Sequence, residues 1–212
     1  MNFVVHDGLF PPERIHAARE AWPAADWPGW VAYDPATQCK RASDLTTPLP
    51  TACGLLLAEL AALPVADWFP AAVRPLICDL GLRGAGLHEM PPGPGLAPHL
   101  DADTHGRLGI QRVLSAVLWV HELWTPLWGG ELVFAGGAVV EPLPGRLVVF
   151  DCREEQHQVR AVTGPADVAR RSLAVFWYGA QPGAGRRMHA DFGSRVPPPG
   201  AASVNVHTTR CH

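Results

Sequence analysis

Between residues 86 and 178 the chain is cut into short apolar or alternating runs by glycine and proline. The runs cover 86–90, 112–120, 131–134, 139–141, 146–150, 156–162 and 171–178. Each has the length of a strand, and most are too short for a helix with a buried face. A succession of such strands with turn residues between them argues against a helical bundle. It predicts an antiparallel sandwich or barrel, and a double-layered jelly roll fits best. In that arrangement residues far apart in sequence face one interior.

The region ahead of these runs reads differently. The opening MNFVVH alternates like a first strand. From 11 to 22, Ile15, Ala18 and Trp22 recur at helical spacing behind two prolines, which the first turn of a helix tolerates. Thr51 is placed to cap a second helix running to 63, and a third short helix is expected around 70–80. The fold class is therefore mainly β with flanking α-helices, a double-stranded β-helix (jelly-roll) barrel. A length of 212 residues suits one domain. Within it, residues 1–83 form a supporting region, 84–180 the core, and 181–212 a Pro/Gly-rich tail.

Trp22, Trp27, Trp30 and Tyr33, followed by Lys40 and Arg41, have two readings. The aromatics cap the core, as large aromatics commonly do, or the segment is a substrate lid in which Tyr33, Lys40 and Arg41 act.

A net charge of −3 and the lack of any dense Lys/Arg run leave no footprint for nucleic acid or an anionic membrane. No apolar run approaches bilayer length, and the first ten residues lack the features of a signal peptide. Cys39, Cys53, Cys78, Cys152 and Cys211 are odd in number and contain no C-x-x-C pair, which argues against a disulfide framework or zinc knuckle. A cytoplasmic location is the expectation.

The chemistry centres on His99-Leu100-Asp101. Alternation along an extended strand turns His99 and Asp101 to one side. With a distant histidine, for which His157 is the candidate, they make the two-His, one-carboxylate set that suits non-haem Fe(II). His189-Ala190-Asp191 has the same spacing but lies in the tail, with no strand-like segment behind it to return a third ligand. Asp103 and His105 are expected in a solvated loop. Glu154 and Glu155 are expected in solvent, although Glu155 shares the strand face of His157. Gly129 and Gly130 read as turn residues.

Four pieces then occur in a familiar order: LHEMPPGPGLAPHLD, VLWVHELWTPLWGGELVF, GRLVVFDCREEQHQV and RRSLAVFWYG. Together they resemble the Fe(II)/2-oxoglutarate-dependent dioxygenases, and among them the prolyl-hydroxylase-like group. The resemblance implies Fe(II) on His99, Asp101 and His157, with 2-oxoglutarate and O2 as co-substrates, and it is compatible with ascorbate as an accessory. It also implies an arginine inside the barrel for the far carboxylate of 2-oxoglutarate. Arg170 and Arg171 face opposite ways, so only one can serve. The family's R-x-S pattern selects Arg170 and puts Ser172 beside it. Trp119 falls where some relatives place a tyrosine that touches the co-substrate, and Met90 falls where an aromatic is frequent.

The implied activity is hydroxylation of an unactivated C–H bond, with 2-oxoglutarate converted to succinate and CO2. The substrate would be a peptidyl residue, an amino acid or a small metabolite. A carboxylate at Asp101 favours hydroxylation over halogenation. The main alternative is a cupin-like metal-binding barrel, an isomerase or small-molecule binder, without 2-oxoglutarate chemistry. A β-sandwich binding module without metal and a nucleic-acid demethylase are further alternatives, the second unsupported by the charge distribution.

Overall fold

The computed structural model describes residues 2–182 except 34–38, 45, 73, 83 and 102, with side chains to 179. The expected tail, including His189, Asp191 and Cys211, lies outside the described residues. Strand β1 (Phe3–His6) leads into helix α1 (Pro12–Glu20) and the hairpin β2 (Trp30–Ala32) and β3 (Arg41–Ser43). Helices α2 (Thr51–Ala61) and α3 (Val65–Trp68) follow, then β4 (Leu76–Cys78), β5 (Gly86–Met90), β6 (Leu96–His99) and β7 (Ile110–Trp119). A 3-10 turn at Pro126–Trp128 precedes β8 (Leu132–Phe134), β9 (Val139–Val140), β10 (Leu147–Asp151), β11 (His157–Val159) and β12 (Arg170–Pro182).

The strands form two antiparallel sheets. The larger runs β1-β10-β7-β12-β5-β3-β2, with β4 beside the far half of β12, and the smaller runs β6-β11-β8-β9. This is the expected jelly roll with flanking helices. Its sheets make an open sandwich, and no closed ring of strands forms among the described residues.

The alternation seen in the sequence sorts side chains into two cores. Leu118, Leu147, Leu173 and Val175 face outward onto Ile15 and Ala18 of α1 and Leu56, Leu57 and Leu60 of α2. Burying each of the larger aliphatic side chains is worth about 1.5–3 kcal/mol, and this layer fastens the helices to the sheet. Met90, Trp119, Val148 and Phe150 face the other way, meeting Leu132, Phe134, Val140 and Val159 of the smaller sheet. The site lies at this inner core. No described helix is long and apolar enough to cross a membrane.

Three local expectations change. Thr51 does not cap α2: Pro50 occupies the cap position without a side-chain hydrogen bond, and Thr51 is already helical. The helix expected around 70–80 is replaced by the earlier α3 and by β4. Prolines at 70 and 75 disfavour continuous helix, and β4 pairs with Trp177–Gly179 of β12 beyond the end of β5. His105 is buried rather than solvated, because its Nε2 meets Asp79 at 3.2 Å and its ring packs edge-on to Tyr178.

Candidate metal centre

Strands β6 and β11 pair so that His99 and His157 are direct cross-strand partners. Their ring centroids lie 4.4 Å apart. Each Nδ1 meets the main-chain carbonyl two residues earlier, at 2.8 Å to Ala97 and 3.1 Å to Glu155. A carbonyl only accepts, so Nδ1 carries the proton and the Nε2 lone pair is left for a metal. Asp101 completes the group: its Oδ1 is 3.4 Å from Nε2 of His99 and its Oδ2 3.9 Å from Nε2 of His157. One ligand atom from each residue falls within 4.8 Å of the others, which suits a single ion.

The expected strand stops at His99, and Asp101 lies two residues past its end. Burial opposes its charge, but His157, His99 and Arg112 outweigh that and hold the carboxyl far below the usual carboxylate range. Burial pushes the basicity of His157 down. For His99 burial acts the same way but is outweighed by Asp101, and the value rises. The centre thus presents an ionised carboxylate and, in His157, an imidazole held toward its neutral form.

The larger sheet supplies a second feature. Arg170 lies opposite Met90, and its neighbour Ser172 lies between His88 and Trp119 in the same ladder. Arg170 is 4% exposed and Ser172 1%. Nε of Arg170 donates to the Gly130 carbonyl at 2.8 Å, and the guanidinium lies 5.2 Å from the Trp119 ring centre. Among the described residues it has no carboxylate partner, and burial pushes its pKa down to about 9. The indole N–H of Trp119 is buried without a hydrogen-bond acceptor. A buried cation beside an unused buried donor is a cradle for an anion, since each costs free energy until one arrives.

Gly130 allows this approach. Its φ is +74°, and a side chain there would press on Cδ of Arg170 and on Trp124. A side chain at Gly129 would collide with the Ala161 carbonyl.

Arg171 points to the opposite face and meets Glu89 at 3.1 Å. Glu89 is buried and also receives the Trp22 indole at 2.7 Å and the guanidinium of Arg41. Trp22, Trp30 and Arg41 are thereby committed to packing, with Arg41 stacked on Trp30. Of the lid candidates, Lys40 bears on the site: it lies 5.1 Å from the Tyr33 ring centre, and its charge lowers the basicity of His88, His99 and His157. Glu154 is exposed as expected, whereas Glu155 is half-buried; both are bonded to Asn2, and Asp103 meets Arg112.

The sequence reading passed over two residues that touch Asp101. Ser115 Oγ donates to Oδ2 at 2.9 Å, and Arg112 donates to the main-chain carbonyl at 3.3 Å. The signal for Ser115 was a lone hydroxyl inside the apolar run VLSAVLWV.

Residues 85–179, which include all three candidate ligands and Arg170, match the sequence profile of the 2OG-Fe(II) oxygenase superfamily. No curated protein matches the sequence significantly. A prolyl-4-hydroxylase from Pseudomonas putida is similar in structure at TM-score 0.61 and 24% identity, over 85% of this chain and 93% of that one. A Trichoplax adhaerens prolyl hydroxylase, solved with a hypoxia inducible factor oxygen degradation domain peptide fragment, matches at TM-score 0.61 and 12% identity, over 84% and 83%. The viral collagen prolyl hydroxylase of Paramecium Bursaria Chlorella virus-1 matches at TM-score 0.57 and 11% identity, over 85% and 97%. These likenesses concern the fold. Residues 85–179 thus carry the sequence profile of the 2OG-Fe(II) oxygenase superfamily, in a fold shared with the prolyl hydroxylases.

Proposed function

We propose that the protein is an Fe(II)- and 2-oxoglutarate-dependent hydroxylase, with the metal held by His99, Asp101 and His157. Arg170, flanked by Trp119 and Ser172, would hold the far carboxylate of 2-oxoglutarate. When bound, the metal with 2-oxoglutarate and O2 supplies oxidising power for an unactivated C–H bond, and 2-oxoglutarate leaves as succinate and CO2. The residues provide the rest: the paired histidines present two Nε2 atoms, Asp101 neutralises charge, and the guanidinium sets the co-substrate's reach and orientation. Phe150, 4.6 Å from the His157 ring, keeps the inner wall apolar.

The observation that carries this reading is the buried guanidinium of Arg170 beside the unused indole N–H, in the inner core that also borders His157. A cupin-like binder has no need of that cradle. The profile match supports an oxygenase, and the prolyl hydroxylases of like fold support a peptidyl residue as the prime substrate, with an amino acid or a small metabolite as the other classes proposed. Tyr33 and Lys40 are the groups proposed to meet it.

Aerobic incubation with Fe(II), ascorbate and 2-oxoglutarate tests the reading, with prolyl peptides, free amino acids and small metabolites supplied in turn. The expected result is succinate, with a product heavier by one oxygen atom from one class, and neither from His157→Ala. Iron-loaded, folded protein that never consumes 2-oxoglutarate would overturn it.

A further inference from the structure

The ladder between β6 and β11 fixes His99 and His157 by main-chain pairing, but Asp101 lies beyond the strand and gains nothing from that ladder. Its anchor comes from the other sheet. We infer that Ser115 of β7 is a positioning residue that holds Asp101 as a one-oxygen metal ligand, with Arg112 bracing the main chain beneath it. The inference rests on the metal-site reading above and adds residues to it.

The backbone of β7 is built for this contact. Residues three apart on a regular strand face opposite ways, yet Arg112 and Ser115 both reach Asp101. The cause is a bulge. Trp177 pairs with Leu114 and Tyr178 with Arg112, so Val113 is an extra residue without a partner on β12. Val113 and Leu114 both enter the helix-side core, and Arg112 is thereby turned to the side of Ser115. Bulges bend a strand and re-aim its side chains in this way.

Ser115 is fully buried, so no water competes for its hydroxyl. Its proton goes to Oδ2 of Asp101, a carboxylate oxygen that can only accept. Oδ2 is then engaged, and Oδ1 is left facing Nε2 of His99 at 3.4 Å. Arg112 makes the support rigid: besides the Asp101 carbonyl it meets the Tyr178 hydroxyl at 3.3 Å and Asp103 at 3.6 Å, and it stacks on Phe176 at 3.8 Å.

Mn(II) affinity of the full chain, read by the electron paramagnetic resonance signal of free Mn(II), tests the assignment without turnover. Ser115→Ala is expected to weaken Mn(II) binding by about tenfold, the scale on which partners of metal ligands act. Ser115→Thr keeps the hydroxyl and is expected to bind nearly as the parent does. Melting of each variant in chelator separates loss of the contact from loss of fold. Should Ser115→Ala not fold, Ser115→Cys, a poorer donor of similar size, replaces it with the same direction expected. Unchanged affinity in Ser115→Ala, with binding lost in His157→Ala, would overturn the inference and leave the metal site standing. Equal losses in Ser115→Ala and Ser115→Thr would overturn it too, since space and not the hydroxyl would matter. Unchanged binding in His157→Ala would instead overturn the metal site itself.

Discussion

His99 and His157 stand opposite one another in the β6–β11 ladder, and each bonds through Nδ1 to the carbonyl two residues before it. Neither ring has to be recruited by a flexible loop. Two main-chain carbonyls and one register orient both imidazoles before any metal arrives, which lowers the ordering cost of binding it.

The cradle formed by Arg170 and Trp119 should read out as co-substrate affinity. Arg170→Leu is expected to weaken 2-oxoglutarate binding several hundredfold, corresponding to about 3–5 kcal/mol for one partner of a buried ion pair. Trp119→Phe keeps the ring and removes the donor. A loss of about tenfold is expected, the equivalent of about 1.5 kcal/mol for a hydrogen bond to a charged group. Calorimetric titration of Mn(II)-loaded protein measures both. Wild-type affinity in Arg170→Leu would place the anchor elsewhere.

Arg171 should separate cleanly from its neighbour. It serves the buried Glu89 with Arg41 and Trp22, on the helix side of the sheet. Glu89→Ala leaves two guanidinium groups and an indole N–H without their acceptor, and a loss of about 3 kcal/mol of stability is expected. Arg171→Ala should also lower the urea midpoint while leaving 2-oxoglutarate affinity unchanged. Loss of that affinity in Arg171→Ala would contradict the register of β12.

Acid sensitivity is expected from His121. Its Nε2 donates to the Pro142 carbonyl at 2.5 Å, its ring packs on Trp124, and burial pushes its pKa down to about 3. The unfolded chain takes up this proton near its ordinary value of about 6.5, and the native chain does not until about 3. Its contribution is therefore complete above about pH 6.5 and declines as pH falls toward 3. By about pH 4.5 it should cost about 2–3 kcal/mol. Urea midpoints compared between about pH 7.5 and 4.5 should fall less in His121→Gln than in the parent protein. An equal fall would exclude His121 as a source.

Period-two alternation and Gly/Pro punctuation are local signals, so the jelly-roll strands and the opposed facing of Arg170 and Arg171 could be read from the sequence, while the choice of Arg170 as the inward one came from the R-x-S resemblance. What could not be read depends on distant partners. LICDLG suits a helix or a strand, and the edge of β12 that β5 leaves unpaired decides for strand. His105 is buried because Asp79 and Tyr178 cover it, one preceding it by 26 positions and the other following by 73. The hydroxyl of Ser115 stood out in its apolar run, but a bulge set by pairing with β12 aligns it with Arg112 on Asp101. That bulge leaves no mark in residue spacing alone.

The most direct test is an anaerobic titration of the purified protein with Fe(II) and 2-oxoglutarate, following the visible charge-transfer band. The account predicts a band in the parent protein that is lost in His157→Ala and requires far more 2-oxoglutarate in Arg170→Leu. Folded, iron-loaded protein that develops no band at any 2-oxoglutarate concentration would contradict it.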